Sequence, residues 1–178
     1  MQEKAMMGDA LAAGLTMNTA GNHDVGAPRF HYAFECRDAD GNLKWADEFD
    51  NLVTTAGKTD LVDKYFKGSA YTAAWYLGLK GTGSAAAGVT LASHAGWAEV
   101  TPYSGNRPAI TFGTTSGGSN TATTVSYSIT GAATVAGAFI ANANTGTSGV
   151  LYSAGDFGAS RSVSNGDTLN VTVTVSAS

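Results

Sequence analysis

A mainly β fold is predicted from the sequence: a β-sandwich of jelly-roll or Greek-key type, with one helix and an extended N-terminal arm. Three observations predict it. Roughly eight or nine short runs alternate apolar and polar residues between clusters of Gly, Asn, Asp and Pro, the pattern of half-buried strands joined by turns. One stretch alone repeats apolar residues at helical spacing. Residues 1–29 show neither pattern beyond one or two potential helical turns at Ala10–Leu15. The expected organisation is therefore an arm, 1–29, and a sandwich domain, 30–178.

Taken in order, Asn18–Pro28 is loop-like, with Gly21, Gly26 and Pro28. Phe30–Arg37 alternates as a strand, Asp38–Asn42 has turn chemistry, and Leu43–Phe49 returns with Leu43, Trp45 and Phe49 expected to face inward. The helix is expected over about 54–67. Leu52, Val53, Ala56, Leu61, Val62, Tyr65 and Phe66 form its apolar side, while Lys58, Asp60, Asp63, Lys64 and Lys67 fill most of the other. Thr54 or Thr55 can cap its start, because a hydroxyl accepts from the free N–H groups of the first turn. Gly68 suits a left-handed close, and Lys64 and Lys67 favour the negative end. Gly57 is the weak point, costing about 1 kcal/mol against alanine inside a helix, so a start near Thr59 is a second option.

Beyond the helix, strands are expected at Ala73–Leu79, Arg107–Thr114, Thr123–Thr130, Thr134–Ala141, Gly149–Ser153, Ser160–Ser164 and Thr168–Ser176. A short helical turn is expected at Leu91–Gly96 and an extended piece at Trp97–Val100. Pro108 points to an edge or first strand position. Asn165-Gly166 is the clearest hairpin signal, since both residues tolerate positive φ. No period indicates a repeat array.

Charge is unevenly spread. Of the 24 charged side chains, 13 lie in 35–67 and only six follow Gly68, for a formal net charge of −4. Without a basic cluster, binding to nucleic acid or to acidic membranes is not expected. No apolar run approaches the ~20 residues of a membrane span. The opening MQEKAMMGDALAAGLTMNTAG lacks a basic start followed by an apolar block, so it is not read as a signal peptide. The single cysteine, Cys36, excludes an internal disulfide and reads as a buried thiol on an alternating strand. A weakly charged, strand-rich chain fits a protein that works inside an assembly or a secreted β-protein.

Gly57-Lys58-Thr59 resembles the end of a phosphate-binding loop but has Leu52 where the first glycine belongs, and it falls at the helix. Asp38, Asp40 and Asn42 resemble the opening of a calcium loop, yet the glycine comes too early and Phe49 stands where a bidentate Glu is needed. Ser93, His94 and Glu99 lack a nucleophile-elbow sequence. No histidine has a second one at ligand spacing, and no carboxylate pair stands out as acid and base. No enzyme, cofactor or metal is expected. Tyr71, Tyr76 and Tyr103, where exposed, would suit a sugar- or protein-binding face.

Several motifs carry a family likeness. They are Asp50-Asn-Leu-Val53, Gly57, Leu61-Val-Asp-Lys-Tyr-Phe66, Gly68-Ser-Ala-Tyr-Thr-Ala73, Tyr76-Leu-Gly-Leu79, Ser93-His-Ala-Gly-Trp97 with Glu99, Arg107-Pro108 and Gly166-Asp-Thr-Leu169. From about residue 30 onward the chain resembles small virion proteins of tailed bacteriophages, often called head decoration or cement proteins; similar ones are described as tail- or fibre-associated. It departs from that pattern at Val89-Thr90, where an acidic residue is expected. The resemblance implies a structural protein on the capsid exterior, made in the host cytoplasm. Its partner would be the major capsid protein, and it would be a homo-oligomer, dimer or trimer, on the shell. On that reading the arm runs over capsid subunits, with Met6, Met7, Leu11, Leu15 and Met17 as apolar anchors. The rival expectation is a host-receptor or glycan-binding module using Gly81–Gly88, Ser116–Thr121 and Asn142–Ser148.

Overall fold

Alternation decides the first sheet. The structure, a computed structural model, describes residues 28–177. In β1 (Pro28–Arg37) every second residue from Phe30 to Cys36 is buried, and β10 (Thr168–Ala177) buries Leu169, Val171 and Val173 in the same rhythm. The two pair antiparallel along their whole length. β2 (Leu43–Asp50) flanks β1, while β6 (Ser119–Thr121) and β7 (Val125–Ser128) both pair with β10, giving a five-stranded antiparallel sheet.

The second sheet has the order β3 (Leu52–Val53), β9 (Leu151–Val163), β8 (Ala133–Ala141), β4 (Tyr76–Lys80), β5 (Glu99–Val100), also antiparallel. The two sheets face each other across one core. Phe34 meets Phe157 edge to face at 4.7 Å. The Tyr32 hydroxyl hydrogen-bonds Ser153 at 2.8 Å, and Tyr127 donates to the Leu77 carbonyl at 2.9 Å. The fold is thus mainly β and sandwich-like, as expected.

The second sheet is covered on its outer side too. Phe139, Ala141, Leu151 and Ala154 pack there beneath Leu91 and Trp97 from the 81–98 segment. Burial on both faces is why Thr134–Ala141 reads as evenly apolar rather than alternating. Lys80, fully buried, holds this cover: its ammonium bonds Asp156 and the Gly81 and Gly83 carbonyls and lies 5.6 Å from the centre of the Trp97 ring. Arg107 does the same for the 142–149 loop. It forms a fork on Glu99 (2.7 and 2.8 Å) and donates to the Ala143 and Gly146 carbonyls.

Several expectations are corrected. Leu43 faces solvent at 55% exposure, although Trp45 and Phe49 pack on the core as foreseen. The two short strands expected at Gly149–Ser153 and Ser160–Ser164 are one strand, β9; at Gly155 a side chain would meet the Phe49 ring, whose Cδ2 is 2.7 Å from the Cβ position. The glycine signals close packing and not a turn. Asn165-Gly166 does form a turn, with Gly166 at φ +91°, but it is no hairpin: β9 belongs to one sheet and β10 to the other. Arg107–Thr114 makes only isolated bridges, Ala109 to Tyr76 and Phe112 to Ala122. Leu91–Gly96 forms turns, not helix, and part of the expected loop Ser116–Thr121 is β6. β4 begins at Tyr76, later than Ala73, and β1 begins at Pro28, two residues inside the expected arm.

Candidate interaction surface

The helix α1 (Thr55–Tyr65) is placed by its first turn. Thr54 is the N-cap: its hydroxyl accepts from the Gly57 N–H at 3.0 Å and donates to the Leu151 carbonyl, while its own N–H donates to Tyr152 at 3.0 Å. This ties the helix start to β9. Gly57 then seats the first turn, because a Cβ there would lie 2.9 Å from the Tyr152 Cα and closer still to its carbonyl oxygen. The residue that looks like a weak point in the sequence is the one that seats the helix against the Tyr152 backbone. Gly68, at φ +71°, turns the chain away after the last helical bonds.

Pinned at its start, the helix does not bury the apolar side foreseen for it. Only Gly57 is buried within it. Leu61 packs partly on the core, but Val62 is 53%, Tyr65 78% and Phe66 76% exposed, and Leu52 just before the helix is 38% exposed. Helical periodicity reports an apolar face, and here much of that face meets no part of the described chain. Tyr65 and Phe66 meet edge to face at 4.9 Å. Tyr71, 53% exposed, accepts from the Trp75 indole at 3.0 Å, and Trp75 stands against Tyr152 at 5.0 Å.

Between α1 and the first sheet these rings border an open groove of about 720 Å³. Its wall and floor include Phe30, Trp75, Phe112, Ile140, Tyr152 and Val175, so it opens the space between the two sheets at one end of the sandwich. Pro28 and Ala177, the paired ends of β1 and β10, also line it. Of the charged residues, Asp60 and Lys64 reach it; the Lys64 ammonium is bonded to the Ala70 carbonyl at 2.7 Å. Burial pushes the Tyr152 phenol up to about 12, and the Asp60 charge adds to this, so it stays neutral. The surface suits apolar and aromatic contact, the kind that dominates protein interfaces.

The remaining polar motifs serve the scaffold. Gly57-Lys58-Thr59 lies in the first turns of α1. Asp38 accepts from the Asn42 and Asp40 N–H groups, bonds that hold its carboxyl below the usual range, and so closes the β1–β2 turn. His94 stacks on Trp97 at 4.2 Å and donates to its carbonyl, while Glu99 is taken by Arg107. Ser93, His94 and Glu99 make no hydrogen bond to one another. Among the described residues no three His, Cys, Asp or Glu side chains gather as a metal site would need. In the same residues no helix is long and apolar enough to cross a membrane. Cys36 is buried, and burial together with the Asp167 charge pushes its thiol up to about 11.

Of the aromatics flagged earlier, Tyr71 is exposed, Tyr76 half-buried and Tyr103 buried. The expected anchors Met6, Met7, Leu11, Leu15 and Met17 lie outside the described residues. Tyr65 and Phe66, on the apolar side of the helix, are the most exposed aromatics among the described residues. No family model and no curated protein matches the chain.

Proposed function

We propose that this chain is a structural virion protein that binds the outside of a tailed-phage capsid and cements contacts between major capsid protein subunits. The observation that carries the reading is the aromatic surface at the end of α1, Tyr65 and Phe66 beside the groove, which no other described residue covers, on a body with few charges. The motif resemblance supports the setting. A surface of this kind stabilises an assembly by mass action: each bound copy favours the closed shell over the open one. A contact burying about 1,600 Å² is enough for specific binding. On this reading the arm, with Met6, Met7, Leu11, Leu15 and Met17, extends the contact across neighbouring subunits, and copies associate as dimers or trimers.

The test is co-sedimentation of the purified chain with heads that lack it. Full occupancy by the chain, and a fall of at least tenfold in affinity on deletion of residues 1–27, which leaves β1 whole, is the expected result. Undiminished occupancy without the arm would refute the arm's part, and no binding of the intact chain would refute the whole reading.

One observation favours a second reading, a tail- or fibre-associated module for a host receptor or glycan. The Lys80 and Arg107 pins hold the 81–88 and 142–148 loops to the body, and loops fixed in advance bind with less loss of entropy. Binding of the isolated protein to host cells, with none to heads, would select it.

A further inference from the structure

The groove beside α1 joins the space between the sheets, where interiors are otherwise close-packed. We infer that it is the docking site of a segment of this same chain, Leu11–Met17. Two observations choose that occupant. Pro28, where the described chain begins, is itself part of the groove wall, so the 27 preceding residues start from its edge. Within them, Leu11-Ala-Ala-Gly-Leu-Thr-Met17 is the longest stretch that carries no charge and several large apolar side chains. It therefore matches a wall of Trp75, Phe112, Tyr152 and Val175.

Reach and concentration both permit it. The ten residues 18–27 between the segment and Pro28 span at most about 35 Å when extended, enough to turn back over the groove. A segment on so short a tether is present at an effective concentration of order millimolar. A second copy or a separate partner in the micromolar range competes poorly with it. The inference concerns the free protein and does not need the virion reading. Where both hold, attachment becomes an exchange, in which the shell must draw the arm out of its groove.

Disulfide trapping in the full-length chain tests this without capsids. Leu15→Cys is combined with Tyr71→Cys, an exposed position at the groove. As a control it is combined with Leu43→Cys, equally exposed but paired with Arg37 at the other end of β1, about 30 Å from Pro28. Cys36 is buried and stays out of the exchange. In a glutathione buffer the Leu15→Cys/Tyr71→Cys chain should close a disulfide within the monomer at least ten times faster than the control. Adding Leu11→Ser and Met17→Ser should return it to the control rate. Equal rates for the two pairs, a rate indifferent to the serines, or a crosslinked dimer as the main product would each overturn the assignment. Because no head takes part, a negative result here leaves the capsid reading standing, and the reverse.

Discussion

Gly57→Ala separates what the sequence suggests from what the packing dictates, because the two give opposite signs. Helix propensity alone makes alanine better by about 1 kcal/mol. In the structure the new Cβ would sit 2.9 Å from the Tyr152 Cα and 3.0 Å from its carbonyl carbon. Both are backbone atoms that no rotamer change can move. Restoring ordinary contact requires α1 to back away from β9, which also loosens the Thr54 bonds to Leu151 and Tyr152. Overpacking costs about 1–3 kcal/mol, and the upper part of that range, about 2–3 kcal/mol, applies where the obstructing atoms are backbone. Net of the propensity gain, the variant should lose about 1–2 kcal/mol, a fall in Tm of about 3–6 °C for a domain of this size. Thermal unfolding followed by circular dichroism, on the wild type and variant in parallel, reads it. A Tm unchanged or raised would refute the close seating of the helix on Tyr152.

The other predictions concern buried charge and buried phenols. Asp156→Ala leaves the fully buried Lys80 without its partner and should cost about 3 kcal/mol in urea unfolding, whereas Lys80→Met with Asp156→Leu should cost less than Asp156→Ala alone. Should the single variant lose under 1 kcal/mol, Lys80 does not pin the 81–98 cover. Stability should fall in alkali. Burial raises the phenols of Tyr32 and Tyr127 above their unfolded value, and pushes Tyr103 up to about 12. A raised group contributes fully below its unfolded value of about 10 and is lost as pH rises toward the folded one. Tyr32 and Tyr127 should therefore each cost on the order of 1 kcal/mol at pH 11 relative to pH 8, read as a falling urea midpoint; a flat midpoint between these pH values would contradict their burial. Phe66→Ser, at a 76% exposed position, should leave the midpoint within about 0.5 kcal/mol while lowering affinity for heads.

The sequence showed most clearly what alternates. Phe30 to Cys36, Val125 to Ile129 and Leu169 to Val173 each bury every second residue as their spacing implies. It was less informative wherever a glycine makes room for a neighbouring side chain or backbone. Gly155 breaks the pattern of β9 because Phe49 occupies its place, and Gly57 reads as a helix fault because Tyr152 does. Turn chemistry identified the bend at Asn165-Gly166 but not that its two strands enter different sheets, since local φ values carry no information about distant pairing. The interaction surface was half legible. Leu61, Val62, Tyr65 and Phe66 were seen as one apolar face, but periodicity does not distinguish a face turned to the core from one turned to a partner. The exposure of Tyr65 and Phe66 shows which way that face turns.

Electron microscopy of phage particles carrying a gold-labelled copy of this chain tests the central claim most directly. Label distributed over the head, in many copies per particle, is the predicted result. Label confined to the tail, or particles without label when the chain is abundant in the lysate, would contradict it.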